Sequence, residues 1–162
     1  MAGLIKFDGR TRVGKLYNQM KEDCKLVVEE AIRTNEFTNR TNNLEDSYGA
    51  ALYYDGMVLP ETIYYKSPKA TETKVWKNRE VSGHNEMIKY LMSFKPKKKG
   101  LTLVLVTAMP YGEILERGGG NLHRKYKVIV GANKLMRDLA LKYNGMFGRR
   151  RVARTSINVE SV

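Results

Sequence analysis

Leu44-Glu45-Asp46-Ser47-Tyr48-Gly49-Ala50-Ala51-Leu52-Tyr53-Tyr54-Asp55-Gly56-Met57-Val58-Leu59 is the stretch on which the fold turns. Tyr48, Ala50, Leu52 and Tyr54 recur at every second position, the period of a strand with one face inward. Asp55-Gly56 then supplies the two residues of a tight turn, since a hairpin matched to strand twist needs positive φ at both. Leu44–Leu59 is therefore predicted to be a β-hairpin with Leu44 as its first core residue. Its second strand runs from Met57 to Tyr65. Pro60 cannot donate to a ladder, which puts that strand at a sheet edge or marks a bulge.

Toward the N-terminus, a helix is predicted from Lys15. Leu16, Met20, Cys24, Val27, Val28, Ala31 and Ile32 fall three and four apart in one apolar stripe, while Glu22, Asp23, Glu29 and Glu30 read as lying off it. Cys24 is expected to be a small buried hydrophobe, because no base nearby would activate it as a nucleophile. The helix should stop near Thr34. The stretch from Thr34 to Asn43 holds four Asn and three Thr, whose side chains compete for backbone hydrogen bonds. Residues 1–14, with Gly3, Gly9 and Gly14, read as a flexible arm.

Toward the C-terminus, Lys66–Gly83 has no period and reads as a long loop. Its single Trp, Trp76, either anchors the loop against the domain or a neighbouring subunit, or stacks on a base. A short helix is predicted over His84–Phe94, capped by Ser82, with Met87, Ile88, Leu91 and Met92 on one face. Leu101–Ala108, dense in Leu and Val, has the composition of a central strand. Pro110–Glu116 reads as a short helix closed by Gly118-Gly119-Gly120. Val128–Val130 is either a short strand or the opening of the last helix. That helix turns Ala132, Leu135, Met136, Leu139 and Tyr143 inward and ends at Gly145. From Val152 the tail alternates weakly and reads as a strand for a partner. The expected class is α+β. A mostly antiparallel sheet carries a long N-terminal helix and a C-terminal helix, plus a basic loop insertion. The expected divisions are an arm 1–14, one domain 15–145 with the insertion at 66–100, and a basic tail 146–162.

With 162 residues, 42% hydrophobic and 28% charged, the chain has the composition of one folded domain. Its longest apolar run, Leu101 to Pro110, is about half a membrane span, and no association with a membrane is expected. The N-terminus lacks the apolar stretch of a signal peptide. One cysteine precludes an internal disulfide, and two histidines 39 positions apart argue against a histidine-rich metal site. The formal net charge is +12, and residues 66–99 alone carry ten basic and three acidic residues. Lys97, Lys98 and Lys99 lie in that stretch, and Arg149, Arg150, Arg151 and Arg154 follow in the tail. Both segments read either as solvated loops or as surfaces for DNA or acidic proteins.

Little here has the pattern of catalysis. Gly118-Gly119-Gly120 follows a predicted helix and lacks the Lys-Ser/Thr of a phosphate loop. Glu113 and Glu116 share a helix face, a common surface arrangement, and His123 sits beside Arg124 and Lys125. The expectation is a non-enzyme with no cofactor and no metal.

Two motifs add a resemblance. Asn39-Arg40-Thr41-Asn42-Asn43-Leu44-Glu45-Asp46-Ser47 and Ala108-Met109-Pro110-Tyr111-Gly112-Glu113-Ile114-Leu115-Glu116-Arg117-Gly118 occur in this order after the first helix. The chain resembles the tail-completion and neck proteins of tailed bacteriophages, which join head to tail. In that family a Pro-x-x-Thr-Gly-x-Leu-x-x-Ser turn follows the first helix, and an (Ala/Pro)-Tyr-Ala-x-x-Leu-Glu-x-Gly helix precedes the last. Thr41, Leu44 and Ser47 match the first motif, and Pro110, Tyr111, Leu115, Glu116 and Gly118 the second. The family's glycine after Thr is Asn42 here, a residue that tolerates positive φ. The usual Pro before Thr is absent, as is the aromatic-rich approach to the last helix.

The resemblance implies a virion structural subunit, assembled in the host cytoplasm, forming a six- or twelve-fold ring around the DNA channel. Portal, adaptor or tail proteins would be its neighbours, and DNA would be met without sequence specificity. Thr41, Leu44, Ser47, Trp76, Tyr111, Glu116 and Gly118 would lie at subunit interfaces. Lys97–Lys99, Arg149–Arg151 and Arg154 would form a basic contact surface. The alternative is a sequence-independent nucleic-acid-binding protein.

Overall fold

The computed structural model describes residues 6–36, 42–70, 73–109, 128–146 and 158–161. Helix α1 spans Arg12–Thr34, α2 is the single turn Asn43–Asp46, and strands β1 (Tyr48–Tyr54) and β2 (Met57–Tyr64) follow. A small hairpin, β3 (Lys74–Trp76) and β4 (Arg79–Val81), leads into α3 (Gly83–Ser93) and then β5 (Leu101–Thr107). A 3-10 turn, Val130–Ala132, opens α4 (Asn133–Met146), and β6 (Asn158–Ser161) closes the order. The result is an α+β fold: a long N-terminal helix and a C-terminal helix on a largely antiparallel sheet.

The main sheet has the order β2-β1-β5-β6, with β1 antiparallel to both β2 and β5, and β6 parallel to β5. Strand alternation divides the core between its faces. Ala50, Leu52, Leu101, Leu103 and Leu105 face α1 and α4, where they meet Leu16, Met20, Cys24, Val27, Met136, Leu139 and Tyr143. Ala51, Tyr53, Val104 and Val106 face the other way and pack on Met87 and Leu91 of α3.

The Asp55-Gly56 turn forms as predicted, with φ of 49° and 83°. Pro60 lies in an edge strand, and the ladder slips there: Leu52 pairs Leu59 while Ala50 pairs Tyr64. Thr62 mends the slip. Its hydroxyl accepts from the Leu52 amide at 2.8 Å and donates to the Leu59 carbonyl at 2.7 Å.

Several expectations are corrected. Helix α1 starts three residues before Lys15. The Thr11 hydroxyl accepts from the Gly14 amide at 3.0 Å, and a Cβ at Gly14 would fall 1.7 Å from the Asp8 carbonyl oxygen. Part of the expected arm is thus packed, with Phe7 stacked on Tyr17 at 4.5 Å. Leu44 belongs to the helical turn α2 and not to the hairpin, because Asn42 is left-handed (φ 60°) and redirects the chain. Lys66–Gly83 contains the β3–β4 hairpin, whose Lys77-Asn78 turn has positive φ at both residues. The stretch read as an insertion supplies α3, whose Met87 and Leu91 are fully buried on the sheet. Val128–Val130 is no strand but the approach to α4, which passes through Gly145 to Met146. The tail strand pairs with β5 of its own chain.

Candidate functional site

The first motif folds into a junction where each side chain holds a different segment. Asn42 adopts φ 60° and ψ 0°, a conformation open to few residues besides glycine and asparagine. The turn it starts aims four side chains apart. The Asn43 carboxamide accepts from the Gly83 amide at 3.0 Å, fixing the start of α3. No other residue fits at 83, since a Cβ there would lie 1.7 Å from the Asn43 carbonyl oxygen. Asp46, 6% exposed, accepts from the Lys69 amide at 2.9 Å and the Ala70 amide at 2.8 Å, tying down the chain after β2. The Ser47 hydroxyl lies 2.6 Å from the Leu44 carbonyl and 2.8 Å from the Thr107 hydroxyl at the end of β5. The Tyr48 hydroxyl donates to the Val128 carbonyl, fixing the approach to α4. Buried backbone and side-chain polar groups must be paired, and here the pairing joins four segments far apart in sequence.

Leu44 and Ser47 are therefore buried inside this chain, at 3% and 0% exposure. They build the turn and present no surface to a neighbour, which corrects their reading as interface residues. Trp76 lies in β3 opposite Arg79. Thr41, Tyr111, Glu116, Gly118, Arg149, Arg150, Arg151 and Arg154 lie outside the described residues. Asn43 and Asp46 escaped the sequence reading because each looks like an ordinary loop polar residue. Only the turn at Asn42 shows where they point.

The basic loop sits at the opposite end of the sheet. The Asp55 carboxyl accepts from the Gly100 amide at 2.8 Å, and the Asp55 amide donates to the Gly100 carbonyl at 3.2 Å. This clamps the β1–β2 turn to the start of β5. Lys97, Lys98 and Lys99 are exposed just before the clamp. Lys98 reaches Glu160 of β6 at 3.0 Å, a half-exposed pair of small energetic weight. Lys95 and Lys97 have no ion pair among the described residues.

A second buried polar group lies between α1 and α4. Asp23 is fully buried, its carboxyl accepting from the Tyr143 hydroxyl at 2.6 Å and from the Gln19 side chain at 3.2 Å. Lys142 lies 4.0 Å away. Asp23 was read as off the apolar stripe, yet it stands three residues after Met20 and four before Val27, on the stripe itself. Burial, then the Asp23 hydrogen bond and charge, push the Tyr143 phenol pKa up. Burial, then the Asp23 charge, push the Cys24 thiol up. Cys24 is thus held as the unreactive thiol, as its place in the helix implied.

A groove beside α3, lined by Glu86, Lys89, Tyr90, Ser93 and Ala108, holds about 150 Å³. That is below the about 300–1,000 Å³ usual for small-molecule sites. Among the described residues, no group of three or more His, Cys, Asp or Glu is placed to hold a metal. No helix among them is long and apolar enough to cross a membrane. No protein-family model, curated protein or solved structure matches the chain.

Proposed function

We propose that this chain is a structural subunit of a tailed-bacteriophage virion, a tail-completion or neck protein that forms a ring at the head–tail junction. The observation that carries the reading is the backbone of Asn42. At the position where the phage motif has glycine, the chain adopts the left-handed conformation that glycine serves. Leu44 and Ser47, the other matching residues, are buried in the same turn. The order of helix, turn, hairpin, central strand and last helix also agrees with the order the resemblance implies.

Function in such a subunit is geometry. Copies related by a head-to-tail contact close into a ring when the rotation between them divides a full turn. No reaction is required of any residue, and the polar groups at the α2 junction serve to make the subunit rigid. The exposed lysines before β5 would meet DNA in the channel or acidic neighbouring proteins.

The test is the mass of the assembled protein by light scattering, and its symmetry by electron cryomicroscopy of the particle. The expected result is a closed ring of six or twelve copies. A chain found as a monomer within its working complex overturns the proposal. The second reading, a sequence-independent nucleic-acid-binding protein, is favoured by exposed Lys95 and Lys97. It requires a DNA mobility shift by the isolated chain that weakens steeply with salt.

A further inference from the structure

The two edges of the main sheet are built on opposite plans. Edge strand β2 is protected against further pairing. Pro60 removes a donor, Pro60 and Glu61 are exposed, and the ladder slips beside them. These are the devices by which sheets refuse an extra strand. The other side of β5 has no such protection. Leu101-Thr102-Leu103-Val104-Leu105-Val106 contains no charge, no proline and no glycine, and each residue is at most 1% exposed. Among the described residues, only the four of β6 pair with that edge, from Thr102↔Asn158 to Leu105↔Ser161. Strand β5 pairs with β1 through all seven residues, α1 and α3 pack on β1 and β5 from opposite faces, and α4 packs on α1 and on β6 itself, so an exchanged β6 carries a contact with α4 as well as with β5.

The donor strand is also on a long tether. Helix α4 ends at Met146 and β6 starts at Asn158, so eleven residues connect them, four of them Arg and none acidic or proline. Eleven residues can span up to about 36 Å, several times the about 4.8 Å between neighbouring strands. A connection of this length does not by itself confine β6 to its own copy.

We propose that residues 158–161 are exchanged between copies of this chain, each β6 pairing with the β5 edge of its neighbour. This deepens the ring reading and rests on it. The exchanged strand makes in the assembly the contacts seen here within one chain, the ladder and the Lys98–Glu160 pair included, so exchange creates no new surface. The slipped, proline-bearing β2 edge keeps the sheet from growing on the wrong side.

The test uses the register. Thr102→Cys and Asn158→Cys, each in a Cys24→Ala background, are made as separate chains and co-expressed. A third chain carries both substitutions. Paired Cα atoms in neighbouring strands lie within the about 4.4–6.8 Å span of a disulfide. Thr102 is a suitable position because its buried hydroxyl has no hydrogen-bond partner among the described residues. Circular dichroism and light scattering check fold and mass before oxidation. Exchange predicts a covalent dimer of the two co-expressed single variants, and a ladder of covalent multimers from the doubly substituted chain. An internally linked monomer from the double variant, with no dimer from the mixture, overturns exchange. No disulfide in either sample overturns the register on which exchange rests. The full-length chain and a chain ending at residue 157 are then compared by light scattering. A ring that survives the truncation overturns the exchange but leaves the ring reading standing. A full-length chain that stays monomeric even in its working complex overturns the ring reading itself.

Discussion

The two faces of the main sheet are covered by very different amounts of chain. On one, α1 with 23 residues lies over Leu52, Leu103 and Leu105, and α4 with 14 packs beside it on β6. On the other, the 11 residues of α3 cover Tyr53, Val104 and Val106. That smaller cluster is ringed by Val58, Ile63, Ile88, Tyr90 and Phe94, all only partly buried. A buried tyrosine hydroxyl joins a helix on each face, with a different partner. Tyr143 donates to the Asp23 carboxyl, whereas Tyr53 donates at 2.6 Å to the Leu91 carbonyl in the last turn of α3. The first face seals a carboxyl between two long helices. The second uses a hydroxyl to satisfy a helix end whose carbonyls have no partner within the helix. The difference teaches where stability resides: among the described residues the two-helix face gathers 22 buried residues and the one-helix face six, so most of the buried apolar surface lies under the two helices.

The strongest test of that difference is truncation of a core leucine. Leu105→Ala on the two-helix face should cost about 4 kcal/mol, because the enclosed site cannot collapse around the cavity. Leu91→Ala on the one-helix face should cost about 2–3 kcal/mol, since its partly buried neighbours can close in. Urea unfolding of both variants measures the gap. Equal losses would show that α3 is as tightly enclosed as α1.

Removing each hydroxyl sharpens the contrast. Tyr143→Phe withdraws a donor from a fully buried carboxyl, and the expected loss is about 2–3 kcal/mol. Tyr53→Phe withdraws a donor from a neutral carbonyl, with an expected loss of about 1 kcal/mol. If the second loss exceeded the first, the carboxyl would have found another donor, with Lys142 at 4.0 Å the nearest candidate.

Alkaline pH acts on both faces. Burial raises the phenol pKa of Tyr143 and of Tyr53, and the thiol pKa of Cys24. A raised native pKa means that the native state holds the proton after the unfolded chain has lost it. The stabilisation is therefore complete below the unfolded values, about 8.5 for Cys and about 10 for Tyr, and is lost as pH rises above them. Unfolding free energy should fall from about pH 9 upward, by up to about 1.4 kcal/mol per pH unit for each group, and the melting temperature should fall with it. Tyr17, pushed up to about 12 by burial and then by Glu61, adds a smaller share between about pH 10 and 12. Cys24→Ala and Tyr143→Phe should each flatten the fall. An unchanged slope in both variants would place the titrating groups elsewhere.

The smallest effect belongs outside both faces. Replacing Lys97 with Ser should change stability by no more than about 0.5 kcal/mol, since the side chain is exposed with no ion pair among the described residues. A thermal melt checks this, and a larger loss would tie the loop into the one-helix face.

Much of this molecule was legible in its residues because local rules acted alone. The stripe from Leu16 to Ala31 is buried as its period required. Asp55-Gly56 turned the chain because both residues accept positive φ. Ser82 capped α3, accepting from the Asn85 amide. Leu101–Thr107 became the central strand because a run apolar on both faces needs cover on both. What only the tertiary structure decided depends on pairings between distant segments. Asp23 reads as a surface acid until Tyr143, 120 residues later, donates to it. Asp46 reads as one more polar residue at the start of the hairpin until the chain after β2 brings two amides to it. Residues 66–100 read as an insertion even though Met87 and Leu91 share a helix face, because only Gly83 meeting Asn43 brings that face onto the sheet. Period and turn chemistry are carried by neighbouring residues. The partner of a buried polar group is set by where the rest of the chain arrives.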